Sequence, residues 1–284
     1  MKPVFHIHIP KTGGSWFNSV MIHHLGNLEV SPDGRFVDSS HSVFELTSPL
    51  MKLPIWMGAS GARKVIIALT GLDDEGATVK NAFARPDTWD IVSIVRNPFD
   101  LLVSMWSHDH PVDRERVAHL HPIGVPVGWD CINVTHGIRE FDGFVKRITD
   151  PQFAWIHKAQ QASLFHAIRS HKQRQITTHI LRQERLVEGT RALLVERGCE
   201  PDESVLGRAA SNTSARRPDY RTYYTDDLRE RVERTFADDL SLFGYNFDGL
   251  VPDAVGDADT GIIRTGAQNT LPAECIDTYT IALV

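Results

Sequence analysis

The segment from Val4 to Leu25 constrains the fold more than any other. Phe5, Ile7 and Ile9 alternate with His6 and His8, a strand pattern that stops at Pro10, because proline cannot donate to a central ladder. Gly13 and Gly14 follow, and from Ser15 to Leu25 the apolar residues Trp16, Phe17, Val20 and Met21 recur at helical spacing. Strand, glycine loop and helix in this order open many α/β nucleotide-binding folds. Such a unit aims backbone N–H groups and a helix dipole at one point, where an anion such as phosphate fits. Glycine permits close approach of the backbone, Lys11 adds a mobile positive charge, and Thr12 and Ser15 offer hydroxyl donors. A tight turn with no ligand is the alternative reading. The Walker A pattern places its lysine after the glycines, whereas Lys11 precedes them, which argues against an ATP-hydrolysing loop.

Further strands are expected at Arg35–Asp38, Val65–Leu69, Ile91–Val95 and Gln175–Leu181. The β-branched runs among them suit parallel strands covered on both faces. Helices are expected over Pro98–Trp106, where proline suits the first turn, and as one helix over Thr225–Phe243, closed by Gly244. The irregular, histidine- and proline-rich stretch from Ser107 to Trp129 reads as a lid or substrate loop. We therefore expect a central parallel sheet flanked by helices in one domain over residues 1–247, and an acidic, irregular appendage over 248–284.

Composition narrows the function. The 284 residues are 42% apolar and carry a formal charge of −6, so a globally basic nucleic-acid binder is disfavoured and any anion site must be local. Cys131, Cys199 and Cys275 are isolated from one another and read as reduced thiols. No apolar run approaches the ~18 residues of a membrane span, and the N-terminus lacks a signal-peptide pattern, so a cytoplasmic location is expected.

A second chemical segment is Ile91–Trp106, in which a buried strand ends in Arg96 and Asn97, Pro98 starts a helix, and Ser104 lies two turns into it. A bidentate arginine and a hydroxyl near a strand's carboxyl end suit a second phosphate, although Arg96 could instead simply pair with Asp100.

Together, Pro10-Lys11-Thr12-Gly13-Gly14-Ser15 and Arg96-Asn97-Pro98-Phe99-Asp100 with Ser104 resemble the sulfotransferases that use 3′-phosphoadenosine 5′-phosphosulfate, PAPS. The resemblance extends to Asn212–Phe247, with its basic loop, tyrosine-rich stretch, long helix and closing Gly-Tyr-x-Phe, and it points to the carbohydrate-type or bacterial branch. It implies a P-loop-like α/β fold. It also implies that residues 11–16 hold the 5′-phosphosulfate, Lys11 serving catalysis as well, and that Arg96 and Ser104 hold the 3′-phosphate. Ser214, Arg216 and Arg217 belong to a loop that could close over the nucleotide, with either arginine reaching it, or that is simply a solvated surface loop.

Sulfuryl transfer also needs a base for the acceptor hydroxyl. Among 14 histidines, His41 is the leading candidate, because it follows the second strand near a carboxyl edge; His8, His108 and His110 remain rivals. Arg182-Gln183-Glu184 resembles a family element at a strand end, or forms an ion pair at a helix start. No metal is expected, since no HExxH-like spacing occurs and transfer from PAPS requires none. The acceptor is expected to be a hydroxyl of a small metabolite, lipid or neutral glycan, because a highly anionic polysaccharide would require a basic face. An ATP-dependent small-molecule kinase and a non-catalytic nucleotide- or glycan-binding module are the rival functions, and the sequence leaves the oligomeric state open.

Overall fold

The computed structural model describes residues 2–9, 12–27, 34–38, 86–108, 138, 140–150, 177–208, 218–252, 254 and 256–264. Lys11, His41, Ser214, Arg216, Arg217 and the expected strand Val65–Leu69 lie outside them, as does most of the stretch expected to form a substrate loop.

Strands β1 (Val4–Ile7), β2 (Phe36–Asp38), β3 (Asp90–Val95) and β4 (His179–Arg182) are mutually parallel and ordered β2-β1-β3-β4, and the short strand Ile263–Arg264 adds antiparallel to β4. The register pairs Ile7 with Ser93 and Val95 with Arg182, so the strands end along one edge. All four β1 residues are buried, as a strand covered on both sides requires.

One face of the sheet, with Val4, Val92, Ile94 and Leu181, packs on helix α1 (Gly14–Leu25) and on Leu193 and Leu194 of the helix Leu186–Glu196. The expected helical residues Trp16, Phe17, Val20 and Met21 all lie in that core. On the other face, Phe5, Ile7, Ile91 and Val95 meet Leu242, Phe243 and Tyr245. A third cluster joins helix α2 (Pro98–His108) to Phe141–Ile148 and to Leu228, Val232 and Phe236. Its aromatic edges include Phe99 on Tyr224, with ring centroids 5.2 Å apart.

Two expectations are corrected. The expected single helix over Thr225–Phe243 is two, Asp226–Thr235 and Ala237–Phe243, joined at Phe236 with φ −108° and ψ 24°. Its first half buries Leu228 and Val232 in the third cluster, whereas Leu242 and Phe243 must reach the sheet. A straight helix drifts by about 40° at each four-residue step and cannot satisfy both. Thr225 caps the first half through its hydroxyl, and Gly244 closes the second at φ 68°, as expected.

The stretch from Asp248 is not irregular throughout. Tyr245–Asn246 and Gly249–Leu250 form a short hairpin, and the strand Ile263–Arg264 joins the central sheet, with Ile262 and Ile263 buried in the two opposite cores. The packed body thus reaches Arg264 and does not stop at 247. A two-residue strand is too short to leave a period in the sequence.

Candidate active site

The strand order changes direction between β1 and β3, and in open α/β sheets ligands bind at the carboxyl ends of the strands where this happens. Both chemical segments identified in the sequence emerge there, one from β1 and the other from β3.

After β1, Thr12 is fully buried and its hydroxyl donates to the carbonyl of Ile9 at 2.8 Å. In the structure that proton is given to the loop's own backbone. Gly13 takes the left-handed conformation, φ 96° and ψ 9°, and a Cβ on it would stand 2.7 Å from Leu186 Cδ2. The amides of Trp16 and Phe17 donate to the Gly13 carbonyl at 3.1 and 3.2 Å. This leaves Gly14 and Ser15 at the open turn of α1, where amides have no acceptor within the helix and the dipole is positive. Ser15 is exposed.

Trp16 is engaged within the protein. Its backbone N–H is bonded to Gly13, its indole lies in the core, and Nε1–H donates to the Arg208 carbonyl at 2.9 Å. It anchors the chain at 208, immediately before residues 209–217, which carry Ser214, Arg216 and Arg217. Past that segment, the Tyr220 hydroxyl donates to the Phe247 carbonyl at 2.7 Å and lies 3.5 Å from Asn97 Nδ2. The flanks of the basic segment are therefore pinned to the two chemical segments, one flank to each.

At the end of β3, Arg96 points Nε and Nη2 at Asp100 Oδ2, the former at 2.8 Å, and both side chains are largely shielded from solvent. Four-residue spacing puts Asp100 and Ser104 on one helical stripe, so Arg96, Asp100 and half-buried Ser104 line the same side of α2. The pairing with Asp100 engages two nitrogens of a five-donor fork. Asn97 caps α2: its Oδ1 accepts from Phe99 N at 3.1 Å, and its Nδ2 donates to the Asn246 carbonyl at 2.9 Å.

The Arg182-Gln183-Glu184 element ties the end of β4 to two other parts of the fold. Arg182 is buried and donates from Nε and Nη2 to the Phe243 carbonyl, at 3.3 and 2.9 Å, closing the last helix of the sheet-covering layer. Burial lowers its pKa from the ordinary arginine value. Glu184 accepts from the Asn97 amide at 2.8 Å through Oε1 and from the Tyr245 hydroxyl at 2.7 Å through Oε2. It keeps an open side towards solvent while protein crowds it from the others, and this desolvation raises its carboxyl above the ordinary range. Burial likewise raises the Tyr245 phenol well above the ordinary tyrosine value and pushes Tyr220 up to about 12.

His6 and His8 lie under α1. The His6 Nδ1–H donates to Asn18 Oδ1 at 2.7 Å, and the two imidazoles stack with centroids 5.2 Å apart. Among the described residues, no three histidine, cysteine, aspartate or glutamate side chains converge as a cation site, and no helix is long and apolar enough to cross a membrane.

Sequence reasoning missed the joining role of Tyr245 and the use of Trp16 as an anchor. The Gly-Tyr-x-Phe ending was visible, but nothing in its spacing tells that the phenol meets Glu184, 61 residues away.

No curated protein and no solved structure is significantly similar to the chain. A family model described as the sulfotransferase family does match, over residues 2–246, a span that takes in both segments at the β1/β3 edge, and the chain belongs to that family.

Proposed function

We propose that the protein transfers a sulfuryl group from PAPS to a hydroxyl of a small metabolite, lipid or neutral glycan. The observation that carries this reading is that the α1 N-terminus and Arg96 follow the carboxyl ends of two neighbouring parallel strands, β1 and β3, in a sulfotransferase-family chain, where a helix end and an arginine suit two phosphates.

In this reading the Gly14 and Ser15 amides, the Ser15 hydroxyl and Lys11 hold the 5′-phosphosulfate. Arg96 and Ser104 hold the 3′-phosphate, with Ser214 and Arg216 or Arg217 approaching from the segment whose flanks are tied to Trp16 and Tyr220. His41 follows β2 by three residues in the sequence, and β2 pairs in parallel with β1, which is what favours it as the base.

The acceptor oxygen forms the new S–O bond, the S–O bond to the 5′-phosphate breaks in line with it, and the acceptor proton passes to a neutral His41 ring nitrogen. The negative charge left on the phosphate is stabilised by Lys11 and the helix-end amides. 3′-Phosphoadenosine 5′-phosphate, PAP, is the leaving product. Incubation with labelled PAPS and a library of hydroxyl compounds tests the proposal: label should move to at least one acceptor, and binding of PAP with no transfer to any of them would favour a non-catalytic module.

A further inference from the structure

Glu184 belongs to neither phosphate-binding segment, yet it touches the turn that presents Arg96. Its Oε1 receives the Asn97 amide at 2.8 Å and its Oε2 the Tyr245 hydroxyl at 2.7 Å. Asn97 Nδ2 in turn donates to the carbonyl of Asn246, the neighbour of Tyr245, at 2.9 Å. A closed polar ring thus links the end of β3, the turn after β4 and the hairpin that begins at Tyr245. Arg182 holds the end of the helix that leads into this hairpin by donating to the Phe243 carbonyl.

We infer that Glu184 is a positioning residue that fixes the Arg96–Asn97 turn so that the Arg96 guanidinium is presented to the 3′-phosphate of the nucleotide. This inference rests on the PAPS reading above. The physical reason is that Asn97 follows Arg96 directly, so the direction in which its N–H points sets the peptide plane carrying the Arg96 carbonyl and limits where the arginine side chain starts. A single acceptor at 2.8 Å, itself clamped by a phenol, holds that plane with little freedom. The chain's other anion-binding element, at α1, is not a member of this ring, so its hold on the 5′-phosphosulfate should not depend on Glu184.

The test measures Kd by calorimetry on the full chain for PAP and for adenosine 5′-phosphosulfate, which lacks the 3′-phosphate, alongside thermal midpoints. Wild type should prefer PAP. Glu184→Ala should weaken PAP by about tenfold or more while moving adenosine 5′-phosphosulfate by less than about threefold, the range expected when a charge-assisted phosphate contact is misaligned. Glu184→Gln should restore most of the preference, because its amide oxygen can accept from Asn97 and its NH2 can donate to the Tyr245 oxygen. A merely structural glutamate would lower the thermal midpoint and leave the ratio of the two constants unchanged; that ratio staying at its wild-type value in Glu184→Ala overturns the inference, as do equal losses for both ligands. If Glu184→Ala does not fold, Tyr245→Phe replaces it, and an unaltered ratio there overturns the inference equally. Failure of the underlying reading looks different: wild type itself would bind the two ligands alike, and the inference would fall with it.

Discussion

The ring of His8 fills the space that a side chain on Gly14 would need, for a Cβ there would stand 2.5 Å from Nε2. His8 has little room to retreat, since it stacks on fully buried His6, whose ring also meets Phe17 at 4.9 Å. The glycine at the head of α1 thus serves packing under the loop as well as access above it. Gly14→Ala should cost about 1–3 kcal/mol of stability through overpacking, read from urea unfolding, and should also weaken PAP binding by displacing the helix end. A variant of wild-type stability would show that the His8 ring moves freely.

Lys11 is proposed to act on the leaving phosphate because it precedes the glycine turn in the sequence. Lys11→Ala removes one charge-assisted contact, worth about 1.5–3 kcal/mol, and should leave the fold intact because the side chain is no part of the apolar pattern. Turnover measured at saturating PAPS should collapse while the circular dichroism spectrum is retained. Near-native transfer would remove Lys11 from the site.

His41→Ala should lower kcat far more than it lowers PAPS affinity, since a base acts on the acceptor proton and contributes little to holding the nucleotide. His41→Gln should not restore it. Parallel variants at His8, His108 and His110 serve as comparisons: retention of kcat in His41→Ala with its loss in one of the others would reassign the base without touching the reaction.

Tyr220 provides a test of packing around Asn97. Its folded-state pKa of about 12 lies above the ordinary phenol value, so between pH about 10 and 12 the unfolded chain has lost a proton that the native chain keeps. More protons bound in the native state means that stability falls as pH rises through this window, and the contribution is fully present only below it. Alkaline titration at 295 nm should therefore show a late-ionising phenol that disappears in Tyr220→Phe. An ordinary titration near pH 10 would mean that this phenol is open to solvent.

The strand-turn-helix at Val4–Leu25 and the strand running into Arg96 were legible because each is local: alternation, glycines and helical spacing lie within one short window. The limits of legibility are equally physical. Whether Thr12 offers its proton to a ligand or to Ile9 depends on a loop geometry that residue type does not encode. The indole of Trp16 finds Arg208 only because α1 and the chain beyond the helix Glu203–Leu206 pack together in three dimensions. The break at Phe236 answers to two cores at once, while the pattern of the segment reports a single apolar face. Ile263 and Arg264 join a sheet whose other strands are far away in sequence, and two residues cannot announce that by themselves.

The most direct test of the account compares PAP with ADP by calorimetry, for wild type and for Arg96→Ala. The two nucleotides share the adenosine and a 5′-phosphate group, but only PAP carries the 3′-phosphate that Arg96 is proposed to read. Wild type should bind PAP much more tightly without added divalent cation, and Arg96→Ala should lose most of that preference. Tighter binding of ADP, strengthened by magnesium, would contradict the account and favour a phosphoryl-transfer enzyme.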